Sequence, residues 1–429
     1  MRISKLVLED FRGFRKSTFE STSSNTTVFA GPNGCGKSSV LDAIASAGSG
    51  VPSVLAGSVR SVFGGGDVGN IRGGADSARW SLELRQGEGV ASFGLGAWHD
   101  FATAPEGWGG DQKFGVVTTW AEALSAGKAA EVDLPILTYL HGGSTRSVAR
   151  REVNDDLLTG RLTAYQGAFD QEAAHFDDFE RWYEQEENLE NEAKIRSGNL
   201  RHELHSLRAV RGALQTFLRA LEATEITNFQ VLRSHVEGPF GDVRGRLTVK
   251  KNDEPLFLDQ LSDGERRLIL LVGDVARRMA VLNPHLSEPA SGPGILLADE
   301  IDLHLHPGWQ RRVLPALRLA FPNVQLVATT HSPQVLASVD SASVVLMKNF
   351  EFLPGHPKVR GRDTNTLLEN VFEVPERPEE IKTKLAELYD ALDDQPERAQ
   401  ELYRSLERIL ESDDPELVRI QTLLELVLA

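Results

Sequence analysis

The sequence contains one cysteine, Cys35, so no disulfide can form within the chain and no cysteine-based zinc site can be built. It is also short of basic charge. Lys and Arg number 46 against 62 Asp and Glu, a formal net charge of −16. A chain this acidic carries no general phosphate-binding surface, so any nucleic-acid contact has to be local or borrowed from a partner. Long apolar runs are missing as well. The longest near a helical pattern is Leu268 to Val272, far below the ~20 residues of a membrane span. The opening MRISKLVLEDFRGF meets Glu9 and Asp10 before an apolar region of signal-peptide length develops. A soluble, cytoplasmic protein without membrane association is expected. What remains is an ordinary globular balance, 41% hydrophobic and 25% charged over 429 residues. That length and composition suit two or three structural units with large cores.

Along the chain, the first thirty residues read as strands, and Lys37 to Ala47 reads as a helix after a glycine-rich turn. Residues 48 to 76, rich in Gly and Ser, read as loop. Trp80 to Arg85 and Val90 to Leu95 flank Gln-Gly-Glu-Gly and predict a hairpin. Pro135 to Leu140 reads as a further short strand. Residues 165 to 224 contain no proline and carry long helical patterns, with a second helix read from Leu200. Within Asp170 to Glu192 there are ten acidic residues and one basic residue, Arg181, which fits a solvated helix face or a docking surface. From Gly294 to Met347 strands and helices alternate as in a parallel sheet. The tail is helical, with Pro396 and Pro415 at first helical positions and Leu402, Leu406 and Leu410 on one face. The expected divisions are an N-terminal lobe at 1–150, a helical insertion at 151–225, a C-terminal lobe at 226–355 and a helical domain at 356–429.

Three segments carry chemistry. Gly31-Pro-Asn-Gly-Cys-Gly-Lys-Ser38 fits GxxxxGK[ST] between a predicted strand and a predicted helix, the context that gives this motif its meaning. Backbone N–H groups of such a loop and the following helix N-terminus surround phosphate oxygens. Asn33, Gly34, Cys35, Gly36, Lys37, Ser38 and Ser39 are therefore the expected nucleotide-binding residues. Lys37 adds a mobile positive charge on the β- and γ-phosphates, and the Ser38 hydroxyl suits Mg²⁺. Ile295-Leu-Leu-Ala-Asp299-Glu300 is an apolar strand ending in two carboxylates. A parallel strand sets such residues at the sheet edge where ligands bind, with Asp299 on the metal and Glu300 polarising the attacking water. Leu261-Ser-Asp-Gly-Glu265 precedes a helix whose apolar face runs Leu268, Leu271, Val272, Val275 and Met279. Ser262 and Glu265 also form an S-x-x-E capping box, which accounts for both residues but not for Gly264.

Together these segments resemble the ATP-binding cassette branch of AAA-type ATPases related to chromosome-structural-maintenance and DNA-repair heads. The resemblance implies an α/β fold, an ABC-type P-loop ATPase head with a helical insertion and a C-terminal helical domain. It implies that LSDGE stands where the family has LSGGQ, departing at Asp263 and Glu265. Ser262 and Gly264 would then read the γ-phosphate of a nucleotide held by a second subunit. Thr330-His331-Ser332 follows the strand Val324 to Thr329, as the family's switch histidine does, and Asp302 falls where its dimer-contacting loop sits. The catalytic set is then Lys37, Glu300 and His331, with Ser38 and Asp299 on the metal and ATP and Mg²⁺ as cofactors. The glutamine that completes the family's metal shell has no clear counterpart, Gln86 on a hairpin turn being a poor match.

The runs LSDGERRLILLVGDVARRMAVLNP, LLADEIDLHLHPGWQRRVLP, FPNVQLVATTHSPQVL and GRDTNTLLENVFEVPERPEEI narrow the resemblance. They are similar to bacterial ATPases that include the PtuA subunits of Septu anti-phage systems, which work beside a separate HNH nuclease. The implied function is an ATP-hydrolysing sensor that controls a partner HNH nuclease through ATP-dependent dimerisation. The implied assembly is a homodimer or higher oligomer, with nucleic acid contacted through the complex. The alternative is a DNA-repair or chromosome-processing ATPase that grips DNA directly. The acidic total and the absence of a long heptad run weigh against it. Gly64, Gly66 and Gly69 fit GxGxxG without a following helix and read as loop. His304 and His306, with no third ligand nearby, read as packing or contact residues rather than a metal site. No nuclease constellation is visible.

Overall fold

A computed structural model describes residues 1–21, 25–57, 68–99, 114–126, 132–142, 158–170, 172–235 and 243–428. In chain order the first half runs β1 (Arg2–Phe11), β2 (Phe14–Glu20), β3 (Thr26–Ala30), α1 (Lys37–Gly48), α2 (Gly50–Leu55), β4 (Ser77–Gln86), β5 (Gly89–Trp98), α3 (Gly115–Ser125), β6 (Ile136–Leu140), α4 (Glu172–Ser197) and α5 (His205–Leu221). It continues with β7 (Ile226–His235), β8 (Val243–Lys251), β9 (Glu254–Phe257), α6 (Asp263–Leu282), β10 (Gly294–Ala298), α7 (Pro307–Gln310), α8 (Val313–Ala320), β11 (Val324–Thr329), α9 (Pro333–Ala337), β12 (Val344–Lys348) and β13 (Glu351–Phe352). The tail folds into α10 (Thr364–Phe372), α11 (Glu379–Asp394), α12 (Pro396–Glu407) and α13 (Pro415–Leu428).

The middle of the fold is a six-stranded sheet in the order β13-β12-β3-β11-β10-β6. Every residue of β3, β6, β10 and β11 is buried, which is why these strands are largely apolar and show no alternation, with Thr27, Thr138 and Gln325 buried among the apolar residues. They pair in parallel, with Leu140 opposite Ala298, Ala298 opposite Ala328 and Ala328 opposite Val28. The strand ends that follow these residues therefore open on one edge, as parallel α/β sheets arrange their ligand sites. An antiparallel sheet, β2-β1-β4-β5, and a three-stranded antiparallel sheet, β7-β8-β9, complete the strands.

The chain divides into two compact units, Met1–Asp363 and Thr364–Ala429. The second begins at Thr364 rather than at 356, and its helices bury their own core, including Leu388, Leu402, Leu406 and Ile420, with Leu410 packed against it. The predicted hairpin is present as β4 and β5. Residues 50 to 55 form a helix rather than loop, because Val51, Val54 and Leu55 are buried and packing overrides local Gly and Ser content. The helix read from Leu200 begins at His205, and Leu200 itself is exposed. The GxGxxG reading falls mostly outside the described residues, with only Gly69 inside, in a short 3₁₀ turn. No helix among the described residues is long and apolar enough to cross a membrane.

Candidate functional site

Strand β3 ends at Ala30, and residues 31 to 36 turn into α1, a helix of 12 residues. Gly36 is the N-cap at φ 103°, a left-handed conformation that suits glycine. A Cβ there would lie 2.8 Å from the Phe14 and Phe350 rings, so a side chain is excluded by space as well. No side chain caps α1, which leaves its first N–H groups facing the loop. The Lys37 ammonium sits over this loop. It donates to the carbonyls of Gly31 at 2.9 Å and Pro32 at 3.0 Å and lies 3.8 Å from Cys35 Sγ. Burial lowers its pKa, opposed by the negative potential of Cys35, Asp299 and Glu300. Cys35, itself a residue of this loop, is a free and buried cysteine.

Strand β10 delivers Asp299 to the same place from 261 residues away. The Ser38 hydroxyl donates to Asp299 Oδ1 at 3.1 Å, and the Thr329 hydroxyl, at the end of β11, donates to the same oxygen at 2.5 Å. Thr329 Oγ1 in turn accepts from the Glu300 N–H at 2.8 Å. One threonine therefore ties both acidic residues together, and sequence reading missed it. Burial pushes the Asp299 carboxyl up to about 6, with Glu300 and Asp42 adding to the rise against the two hydroxyl bonds. A buried carboxylate beside a hydroxyl at a phosphate-loop helix is a hard oxygen donor set of the kind Mg²⁺ takes along with phosphate oxygens. These residues fit that ion.

Glu300 adopts φ 48° and His304 φ 61°, so the turn after β10 holds two non-glycine residues in left-handed conformations. Asp302, in this turn, accepts from the Thr330 hydroxyl at 2.6 Å and from the His331 N–H at 3.3 Å. Ser332 is bonded to Gln310 at 2.7 Å, and Gln310 donates to the Leu305 carbonyl at 3.0 Å. The turn after β10 and the turn at Thr330–Ser332 are thus one hydrogen-bonded body. Burial and the Lys37 charge lower the pKa of His331, so at neutral pH its imidazole is neutral and can accept or donate.

Ser262 and Asp263 are exposed at the start of α6, and Gly264 is buried. The capping box is present. Ser262 Oγ accepts from the Glu265 N–H at 3.4 Å, and Glu265 accepts from the Ser262 N–H at 3.0 Å. Gly264 has its own reason, because a Cβ there would lie 2.4 Å from the His304 carbonyl oxygen. Ser262 and Gly264 have no hydrogen bond to the Lys37 loop or to Asp299 among those described, in contrast to Ser38. His306 caps α7 through Nδ1, and no group of three or more His, Cys, Asp or Glu suited to a metal occurs among the described residues. Gln86 ends β4 opposite Gly89, in the antiparallel sheet. The residues that border Asp299 and Glu300 from the neighbouring strand are His141 and Gly142, where a Cβ on Gly142 would lie 2.9 Å from Glu300 Cβ.

Residues 5–208 match a family model described as "AAA domain", and residues 146–337 match one described as "AAA domain, putative AbiEii toxin, Type IV TA system". The "Retron Ec83 probable ATPase" of Escherichia coli is 29% identical over 91% of this chain and 79% of its own length. The "Septu protein PtuA" of Bacillus mycoides (strain KBAB4) is 41% identical over 22% of this chain and 13% of its own. Among solved structures, an SMC head bound to the C-terminal winged-helix domain of ScpA aligns over 82% of this chain and 97% of that one, at TM-score 0.43 and 16% identity. A glycine-rich loop after β3 that faces the paired acids after β10, two strands away in a parallel α/β sheet, is a P-loop arrangement. The chain is an AAA-type ATPase with homologues among retron ATPases and Septu PtuA proteins.

Proposed function

We propose that this ATPase is the ATP-hydrolysing regulatory subunit of a bacterial anti-phage defence complex, acting on a separate effector through ATP-dependent association of two copies. The effector the reading favours is an HNH nuclease, as beside PtuA. Retron and Septu systems are both anti-phage systems, and the similarity to the retron ATPase runs through most of both chains. The observation that carries the ATPase chemistry is the convergence of Ser38, Asp299, Glu300 and Thr329 within a chain of hydrogen bonds on one sheet edge.

In this reading the loop 31–38 holds the phosphates of ATP through backbone N–H groups and the Lys37 ammonium. Ser38 and Asp299 would hold Mg²⁺, which when bound would neutralise charge on the phosphates. Glu300 orients the attacking water and accepts its proton, and neutral His331 donates toward the γ-phosphate oxygens. Ser262 and Gly264, exposed or adjacent at the tip of α6, complete the site of a second copy rather than their own. The test is phage challenge of cells carrying this chain with its neighbouring genes. Lys37→Ala and Glu300→Gln are each expected to abolish protection, and protection that survives Lys37→Ala contradicts the reading.

A further inference from the structure

Arg267 is buried, 5% exposed, one turn into α6 from the exposed tip at Ser262. Its guanidinium reaches across to the turn that follows β10. Nη1 donates to the Glu300 carbonyl at 2.9 Å and the Leu303 carbonyl at 3.4 Å, and Nη2 donates to the Asp299 carbonyl at 3.2 Å and the His141 carbonyl at 3.5 Å. These acceptors lie on both sides of a residue held at positive φ, Glu300. A left-handed non-glycine residue costs roughly 1–2 kcal/mol and persists only where its surroundings fix it. Carbonyls turned out of a strand at such a turn also need donors once buried. A planar fork with five N–H groups can meet several at once, and a lysine ammonium cannot span the same set.

We propose that Arg267 is the positioning residue for the catalytic turn, holding the Glu300 backbone so that its carboxylate points at the attacking water. Its effect passes through Glu300, not through contact with nucleotide. The same helix carries a second contact with that turn, Gly264 against the His304 carbonyl. The α6 tip and the Glu300 turn are therefore joined within a chain. A second copy pressing on Ser262 and Asp263 would change the geometry at this chain's own Glu300, which gives the proposed pair of copies a route between its two sites. The proposal deepens the function proposed above and rests on Glu300 as its base.

The test compares Arg267→Lys and Arg267→Gln with Glu300→Gln in the full-length protein. Affinity for a fluorescent ATP analogue, steady-state phosphate release and thermal melting are read for each. Both Arg267 variants are expected to bind the analogue like wild type while kcat falls about 10²-fold, the size of effect a 1 Å misplacement produces. Added to Glu300→Gln, neither is expected to lower turnover further, since residues acting as a unit are not additive. Wild-type turnover in both Arg267 variants beside an inactive Glu300→Gln overturns the role of Arg267 and leaves the base in place. Parallel losses of affinity and turnover, or failure of both variants to fold, mark a structural residue and also overturn it. Wild-type turnover in Glu300→Gln overturns the proposal at its base, a different result from the first.

Discussion

Asp299 carries the sharpest electrostatic conflict in the site. Its carboxyl is raised by burial to about 6, so the folded protein without a cation favours the protonated form more than the unfolded chain does. The stabilising effect of that proton is present at low pH and is lost as the pH rises through about 6. Above that pH the buried charge costs about 3 kcal/mol, relieved when a cation binds. In EDTA at pH 7.5, Asp299→Asn is therefore expected to melt at a higher temperature than wild type. The difference should shrink as the pH approaches 4, where both side chains are neutral, and Mg²⁺ should stabilise wild type alone. Thermal melts across pH with and without Mg²⁺ check all three. Thr329 gives a second case. Thr329→Val removes one donor to Asp299 and the acceptor of the Glu300 N–H, at a cost of about 1–3 kcal/mol in melting stability. Nucleotide binding should survive while phosphate release drops. The loop residues, Asp299 and Glu300 were legible in sequence because each belongs to a short contiguous motif. Thr329 and Arg267 were not, because a threonine at a strand end and an arginine on an amphipathic helix acquire their roles only when distant strands meet.

At the scale of elements, α6 shows two readings of one motif to be compatible. Ser262 and Glu265 close a capping box, while Gly264 is demanded by the His304 carbonyl, so neither explanation displaces the other. Burial works against the Glu265 charge, but the Lys251 ammonium at 2.6 Å and the Ser262 N–H and hydroxyl hold its carboxyl below the usual range. A depressed pKa adds stability above the ordinary carboxylate value of 4.5 and loses it as the pH falls through the lower folded value. Glu265→Gln should cost about 1–2 kcal/mol near pH 7, with the difference from wild type fading in acid. Denaturant melts at two pH values measure this. Element types were legible where periodicity was strong, as in α5, α6 and the fully buried strands. The helix at 50–55 was hidden by glycine, serine and proline, and the order of strands within each sheet depends on pairings between residues hundreds of positions apart, which no local pattern encodes.

For the whole molecule, the residues of the candidate site all lie in Met1–Asp363, while Thr364–Ala429 has a core of its own and a bidentate Arg377–Asp414 pair at the start of α13. Truncation after Asp363 is expected to leave nucleotide affinity unchanged and to release the effector, which pull-down with the neighbouring gene product reads directly. Affinity lost with the truncation would mean the second unit supports the first. A net charge of −16 sets a further expectation, that the purified chain binds DNA weakly at physiological salt. The central claim is hydrolysis of ATP by Glu300 on a nucleotide held at the Lys37 loop. Phosphate release by purified wild type and Glu300→Gln, paired with equilibrium ATP binding, tests it most directly. The account predicts Mg²⁺-dependent release by wild type, release lowered at least about 10²-fold in Glu300→Gln, and equal ATP affinity. Release by Glu300→Gln at the wild-type rate would contradict it.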